Sequence, residues 1–528
     1  MSDQKAVQKL NFNSPWFIIF VFSILGVVAI LNHSMWRDEL NPWLIVRDSE
    51  SWGDFIGNIR YEGHPVLWYF SLAILRNIAD TPMIMQLFHL GLAINSVAIF
   101  WLYSPFDNKQ KLLFTFGYLP FYEYFLISRN YAFGMLFIFA FCAAFESRKK
   151  TYLILSVLLG LMANSNAYAL LISFALLLTL IVEFCFDIEH RNQYFNQNKK
   201  YDLWLSIAII VFCYILAISI ITPPADSYLH GGLSSGWSIK FDIAHLLKTI
   251  GKLFAGYFLI IPESKRWLDL IVCTLISLFI ISLILLKLGK KPFATFFYIF
   301  GNLELLAFAY FKFSGSGPRH FGHFYLILLA ALWLGSYDQE SSFLTNKLRF
   351  YKNSAKFVQK WQHITLMAIL YIQFFGGIYG FGRDLIIPFS ASRETSQYIQ
   401  KAQINNEFIV ASRDANMAAL SGYLNQKFYY PELGGMGSFT LFKKGRKDVD
   451  QDEILRQVSS ILIQPKSPNR ILLILHQKLK SNRNDLKIIN IKNFERAWVD
   501  TERYYLYWVY KDSIKTAKIS PPIQELRL

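Results

Sequence analysis

Four short stretches hold the residues whose types and spacing could do chemistry: "MWRDEL" (35–40), "RYEGHPVLWYF" (60–70), "LISRNYAFGM" (126–135) and "GSGPRHFGHF" (315–324). The first sets two carboxylates side by side, Asp38 and Glu39. The second places Glu62 and His64 around a glycine, immediately before Pro65. The third and fourth offer Arg129 with Tyr131, and Arg319 with His320. A carboxylate can take the proton from an attacking hydroxyl, and arginine forks match phosphate oxygens. Such a set suits group transfer between an acidic, phosphate-bearing donor and a hydroxyl acceptor. Each stretch also has a plain reading. Asp38 and Glu39 could be an interfacial cap paired with Arg37 or Arg47. Glu62 and His64 could be ordinary capping before a helix with proline in its first turn. Arg129 could be snorkelling to lipid headgroups.

The elements that must position these residues are apolar. Of 528 residues, 54% are hydrophobic and only 17% are charged, and the apolar ones fall in blocks. "FIIFVFSILGVVAIL", "LLISFALLLTLIVEFCF", "LSIAIIVFCYILAISII" and "LIVCTLISLFIISLILL" are each long enough to cross hydrocarbon. The expected fold class is therefore a polytopic α-helical membrane protein. The first block, preceded by Lys5 and Lys9 and followed by no small-x-small cleavage site, reads as an uncleaved anchor. The net charge of +16 does not point to nucleic acid. Its lysines and arginines gather in short loops, "ESRKK", "HRNQYFNQNKK", "KLGKKP" and "NKLRFYKNSAKFVQK", as the positive-inside rule requires of cytoplasmic segments. Cys142, Cys185, Cys213 and Cys273 lie within apolar blocks and lack disulfide or metal spacing.

Placing the basic loops and the N-terminus in the cytoplasm fixes the parity of the remaining segments. About eleven crossings result if the short piece 65–79 dips into the bilayer without spanning it. The continuous apolar pieces 112–127 and 152–164 count as spans, and 222–266 as a loop. Residues 146–150 and 346–362 are then cytoplasmic. Residues 34–64, 128–133, 164–167, 222–266 and 312–321 share the opposite face with everything beyond Pro388, and labelling at positions 149, 230 and 430 would report it. The domain organisation is a membrane domain, 1–385, with its acidic motif in loop 34–64, and an extracytoplasmic α/β domain, 386–528. In that tail "EFIVAS", "RILLIL", "DLKIINI" and "YYLYWVY" read as strands, "SRETSQYIQKAQ" and "QDEILRQVSSIL" as helices. Its "SRDAN" segment (412–416) follows a strand, where ligand-contacting loops occur, although a turn with Asp414 as helix cap is the plainer reading.

An acidic pair after the first span, an x-His-Pro turn before the next helix and a later Arg-x-Tyr turn resemble the integral-membrane glycosyltransferases of the GT-C fold. The nearest branch is the bacterial relatives of protein O-mannosyltransferases and aminoarabinose transferases. The motifs stand here as "RDEL", "EGHPVLWYF" and "SRNYAFGMLF", and the resemblance covers about residues 12–385. It implies a polyprenyl-phosphate sugar donor, a glycan, lipid or protein acceptor in the cell envelope, and inverting displacement at the outer face of the plasma (inner) membrane. Asp38 would act as base with Glu39 positioning it, and Arg129 and Arg319 would hold the donor phosphate. Glu62, His64, Tyr131 and His320 would bind substrate. Some relatives bind a divalent cation at the acid pair, where Asp38 and Glu39 could supply hard oxygen ligands; no full metal-ligand set is visible. The chain departs from the pattern in reading His-Pro-Val for Pro-Pro-Leu, and in following the acid pair with Leu-Asn-Pro. Two other classes stay open. A lipid or polysaccharide transporter or flippase should show duplicated halves and midplane charges. A non-catalytic envelope assembly protein should tolerate Asp38→Asn.

Overall fold

The computed structural model describes residues 14–197, 200–227, 237–263, 266–315, 317–341, 355–465 and 467–512. Lys5, Lys9, position 230 and residues 346–354 of the basic stretch lie outside them. The chain begins with α1 (Pro15–Asn32), α2 (Arg37–Asp48), α3 (Trp52–Ile59), α4 (Leu67–Arg76) and α5 (Met83–Tyr103). α4 has 10 residues, about 15 Å of helical rise, half of what hydrocarbon demands. α6 (Asn108–Thr115) stops short and is followed by a π-helical turn, Leu119–Glu123. One continuous helix was expected over 112–127. Pro120 lacks the N–H that would continue the ladder, so the helix breaks and rewinds.

Next come α7 (Tyr131–Ala144), α8 (Leu153–Ala163), α9 (Ala167–Phe186), α10 (Ile188–Gln197) and α11 (Lys200–Ile221). α12 (Ile243–Phe258), α13 (Trp267–Leu288), α14 (Pro292–Phe311), α15 (Pro318–Leu334) and α16 (Ala355–Ile386) complete the helical region. α12 falls within 222–266, expected as loop. Its lysines interrupt the apolar run, but Asp242 caps it by accepting from the His245 amide at 3.1 Å. α12 then packs on α13 and α15.

Among the described residues, eight helices are long and apolar enough to cross a membrane: α1, α5, α7 with the 3₁₀ turn that extends it, α9, α11, α13, α14 and α16. This is the architecture of a polytopic membrane protein. The main core joins α7, α8, α9, α14 and α15 through Phe139, Leu159, Leu176, Tyr298 and Trp333. Phe212, Leu275 and Phe375 are large apolar side chains left exposed, as lipid-facing surfaces require.

Beyond α16 the pattern changes. α17 (Ser392–Lys401) leads to β1 (Phe408–Ser412), α18 (Asp414–Leu424), β2 (Phe428–Tyr430) and β3 (Gly435–Gly437). α19 (Gln451–Ile463), β4 (Arg470–Leu475), β5 (Leu486–Phe494) and β6 (Tyr504–Lys511) follow. The sheet order is β3-β2-β1-β4-β6-β5, parallel across β2-β1-β4 and antiparallel elsewhere. Ile409 and Leu472 face α17 and α18, while Val410 and Leu473 face α19. Alternate residues thus bury both faces, which makes a three-layer α/β unit. β2 and β3, three residues each, are too short for periodicity to reveal and escaped the sequence reading.

α2 joins the two parts. Leu40, Trp43 and Ile45 pack with Trp68, Tyr69 and Leu72 of α4 and with Ala419 of α18. Gly422 of α18 lies where a Cβ would stand 3.0 Å from a Leu40 methyl, so the glycine lets the helices approach without displacing that side chain. Polar bonds tie the same seam. The Met35 amide donates to Tyr423 Oη at 2.9 Å, and the Thr440 amide donates to Asn41 Oδ1 at 2.9 Å.

Candidate functional site

The opening carboxylates, six and seven residues past α1, occupy the first turn of α2 and point in different directions. Glu39 is fully buried. It accepts from the Trp36 amide at 3.2 Å and the Ser128 amide at 2.7 Å, and His33 Nε2 lies 3.0 Å away. His33 Nδ1 meets Asp384, near the end of α16, at 3.0 Å. Burial alone would strip His33 of its proton, but Asp384 and Glu39 outweigh it and push the imidazole up to about 10. A charged histidine between two carboxylates therefore fastens the ends of α1 and α16 to the start of α2.

Glu39 also shapes the Ser128–Asn130 turn. Its bond to the Ser128 amide is joined by His89, whose ring nitrogens lie 2.9 and 3.1 Å from the Phe125 and Arg129 carbonyls. Asn130 Nδ2 donates to the Ser165 carbonyl at 3.0 Å. Arg129 is thereby aimed at Asp38, with Nη1 donating to Oδ2 at 2.7 Å. Its Nη2 lies 3.3 Å from His64 Nε2, and its guanidinium 5.5 Å from the Tyr131 ring centre.

Asp38 is 26% exposed at its side chain and sits among three arginines: Arg129 at 2.7 Å, Arg319 at 3.4 Å and Arg37 at 3.7 Å. Burial works against its charge, yet Arg129, Arg319 and Arg37 together hold the carboxyl below the usual carboxylate range. Arg47, the other partner expected, pairs instead with Asp48 at 2.6 Å. Arg319 enters from the first turn of α15, and its Nε is buried with no hydrogen-bond partner among the described residues.

Glu62 lies in the turn between α3 and α4, which Gly63 makes possible by taking φ +67°. Its Oε1 accepts from Asn41 Nδ2 at 3.0 Å, and Tyr69 Oη donates to Oε2 at 3.5 Å. Burial first, and the neighbouring Asp38 charge second, push Glu62 up to about 7. Two carboxyl groups of one site are thus driven apart, one held ionised and one poised near neutrality.

A cavity of about 460 Å³ opens between the helical region and the sheet. Asp38, Glu62, His64, Arg37 and Arg129 line one side. Arg413, Asn416, Arg446 and Asp448 of the α/β unit line the other. Arg446 is clamped on Asp414 at 2.5 Å and on Asp448 at 2.9 Å. Asp414 is the first residue of α18, which Arg413 precedes as cap. The structure therefore brings Asp38, Glu62, His64 and Arg129 to one cavity. Arg319 touches Asp38 from behind the lining. Glu39, Tyr131 and His320 are buried off it, with His320 stacked on Tyr168 at 5.4 Å.

The acid pair does not fit a divalent cation. Both Glu39 oxygens already serve N–H groups, and Asp38 is ringed by guanidinium charge. Among the described residues no cluster of three His, Cys, Asp or Glu side chains could hold a metal ion. Sequence reading missed His33, Asp384 and Arg446, whereas Arg413 lies within the SRDAN segment it singled out. His33 and Asp384 did leave a signal, as polar residues at the ends of apolar runs. No family model, curated protein or solved structure matches the chain.

Proposed function

We propose that the protein is a glycosyltransferase of the GT-C type that moves a sugar from a polyprenyl-phosphate donor to a hydroxyl of a cell-envelope acceptor. One observation carries the reading: three arginines surround a single carboxylate beside a cavity. That surplus of guanidinium charge, with the buried Arg319 Nε still lacking a partner, suits an incoming phosphate. In the proposed step the acceptor oxygen bonds to the anomeric carbon as the bond from that carbon to the phosphate oxygen breaks. The acceptor proton passes to a carboxylate, and the polyprenyl phosphate leaves with its new negative charge against Arg129 and Arg319. Asp38 becomes the base once the phosphate draws those arginines away from it.

A second reading of the proton transfer assigns it to Glu62. Glu62 faces the same cavity with only two neutral donors on its oxygens and is held up at about 7, near the working pH of a general base. Asp38 would then serve to organise the arginines.

We place eleven crossings through the bilayer, with α4 dipping in from the outer face. The eight long helices, the segment 108–127 containing the π turn, α8 and α15 make up the count. The N-terminus is then cytoplasmic, and the site and the α/β unit face the outside of the plasma (inner) membrane. The assay is transfer from a polyprenyl-phosphate sugar in vesicles. Labelling a cysteine at 149 and one at 430 from the same side would overturn the orientation. Unchanged turnover in an inserted Asp38→Asn protein would remove Asp38 as the base, and no sugar transfer by the inserted parent protein would overturn the transferase reading.

A further inference from the structure

The α/β unit holds a second, larger cavity, about 820 Å³, that the transfer chemistry leaves unused. It lies where the chain order reverses. β1 leads through α18 to β2 on one side, and β4, entered from α19, pairs with β1 on the other. Ser412 at the end of β1 and Leu475 at the end of β4 stand directly opposite and both line the cavity. The crevice beyond the carboxyl ends of parallel strands at such a reversal is where open α/β sheets bind ligands. Its volume falls within the range of small-molecule sites, about 300–1,000 Å³.

The lining gives the class of ligand. The charges in it balance: Arg413 pairs with Asp448 at 3.0 Å, Arg503 with Asp500 at 2.6 Å and Lys478 with Glu495, just past β5, at 2.8 Å, while Lys480 is matched in number by Asp450. The amides at the start of α19, which elsewhere would attract an anion, are capped by Asp450, which accepts from the Glu453 amide at 2.8 Å. Asp452 and Glu453 add negative charge to that turn. An anion would meet no surplus of positive charge there, in contrast to the arginine ring at Asp38. What the crevice offers is donors and acceptors together, among them Ser412, Gln451, His476 and Gln477, with Tyr505, Ile454 and Leu475 as apolar surface. Hydroxyl groups both donate and accept, so this pattern suits a neutral polyhydroxylated chain. Arg413 and Asp448 line both cavities, so a chain held here reaches the Asp38 cavity.

We propose that this crevice binds the neutral carbohydrate portion of the acceptor and feeds its terminal hydroxyl past the Arg413–Asp448 pair; the inference rests on the transferase reading above. The test uses the full-length protein in detergent on an array of neutral and acidic glycans, with inorganic phosphate as a competitor. Neutral glycans are expected to be retained, phosphate not to displace them, and the double variant His476→Ala, Gln477→Ala to weaken retention at least tenfold. Retention confined to acidic glycans, no retention at all, or unchanged binding by the folded double variant would overturn the crevice assignment. The two readings fail separately. Loss of turnover in Asp38→Asn, with glycan binding and acceptor KM unmoved by the crevice variant, removes only the crevice. Glycan binding by the crevice with no sugar transfer by the parent protein removes only the transferase reading.

Discussion

Two arginine–carboxylate clusters sit at opposite ends of α7 and make a natural comparison. Arg129 precedes the helix and meets Asp38; Arg148 follows it and meets Glu183. The primary contacts are alike, 2.7 Å in each. At Glu183 one arginine serves one carboxylate, both are 4% exposed, and the Phe145 ring covers the guanidinium at 3.8 Å. At Asp38 three arginines share one carboxylate that opens onto a cavity. Residue type and contact distance are therefore poor guides to role. Stoichiometry and access distinguish the clusters, because a sealed one-to-one pair has nothing left to offer a ligand, whereas surplus charge beside a cavity does.

The largest effect that would sharpen the contrast is at the sealed pair. Arg148→Ala leaves Glu183 buried without its partner and should cost about 3–5 kcal/mol of stability. Thermal unfolding in detergent reads this, and the double change Arg148→Met, Glu183→Leu should recover most of the loss. An Arg148→Ala protein as stable as the parent would erase the distinction. Asp38→Asn should do the reverse: unfolding unchanged within the scatter of surface substitutions, turnover down about a hundredfold or more. Donor binding should persist in that variant, since the arginines remain.

Next in size is the pH response of Glu62. A carboxyl raised to about 7 is protonated in acid and becomes a base as pH rises through that value. Under the second reading, turnover therefore climbs between about pH 6 and 8. Glu62→Gln should flatten that climb, with about a tenfold loss at pH 8. If Glu62→Gln keeps both the climb and full turnover, Glu62 is not the proton acceptor and that role falls to Asp38. The smallest and most gradual effect concerns His33. Its folded value of about 10 lies above the ordinary 6.5, so its contribution to stability is complete below pH 6.5 and declines as pH rises through 10. His33→Gln, which keeps hydrogen bonding without the charge, should remove that dependence; a melting profile identical to the parent's from pH 6 to 10 would refute it.

Much of this was legible from one-dimensional pattern. A hydrocarbon span needs about twenty apolar residues in succession, so α1, α9, α11 and α13 announce themselves by length and composition alone. Short runs rich in β-forming residues did the same for β1, β4, β5 and β6, and the change of pattern after α16 marked a different kind of unit. The types of the site residues were also legible, because charged side chains are conspicuous among apolar runs.

Tertiary structure alone decided how those residues are divided. Asp38 and Glu39 are neighbours in sequence, yet one meets arginines beside a cavity and the other is buried on backbone amides, since successive helical residues point about 100° apart. His320 follows Arg319 but turns into the bundle against Tyr168 for the same reason. Arg413 and Arg446 reach the cavity because α18 packs on α2, where Gly422 meets Leu40, a contact between residues nearly four hundred positions apart. Periodicity records which face of its own helix a residue occupies. Which other face it meets is set by packing, and packing also placed the surplus arginines on Asp38.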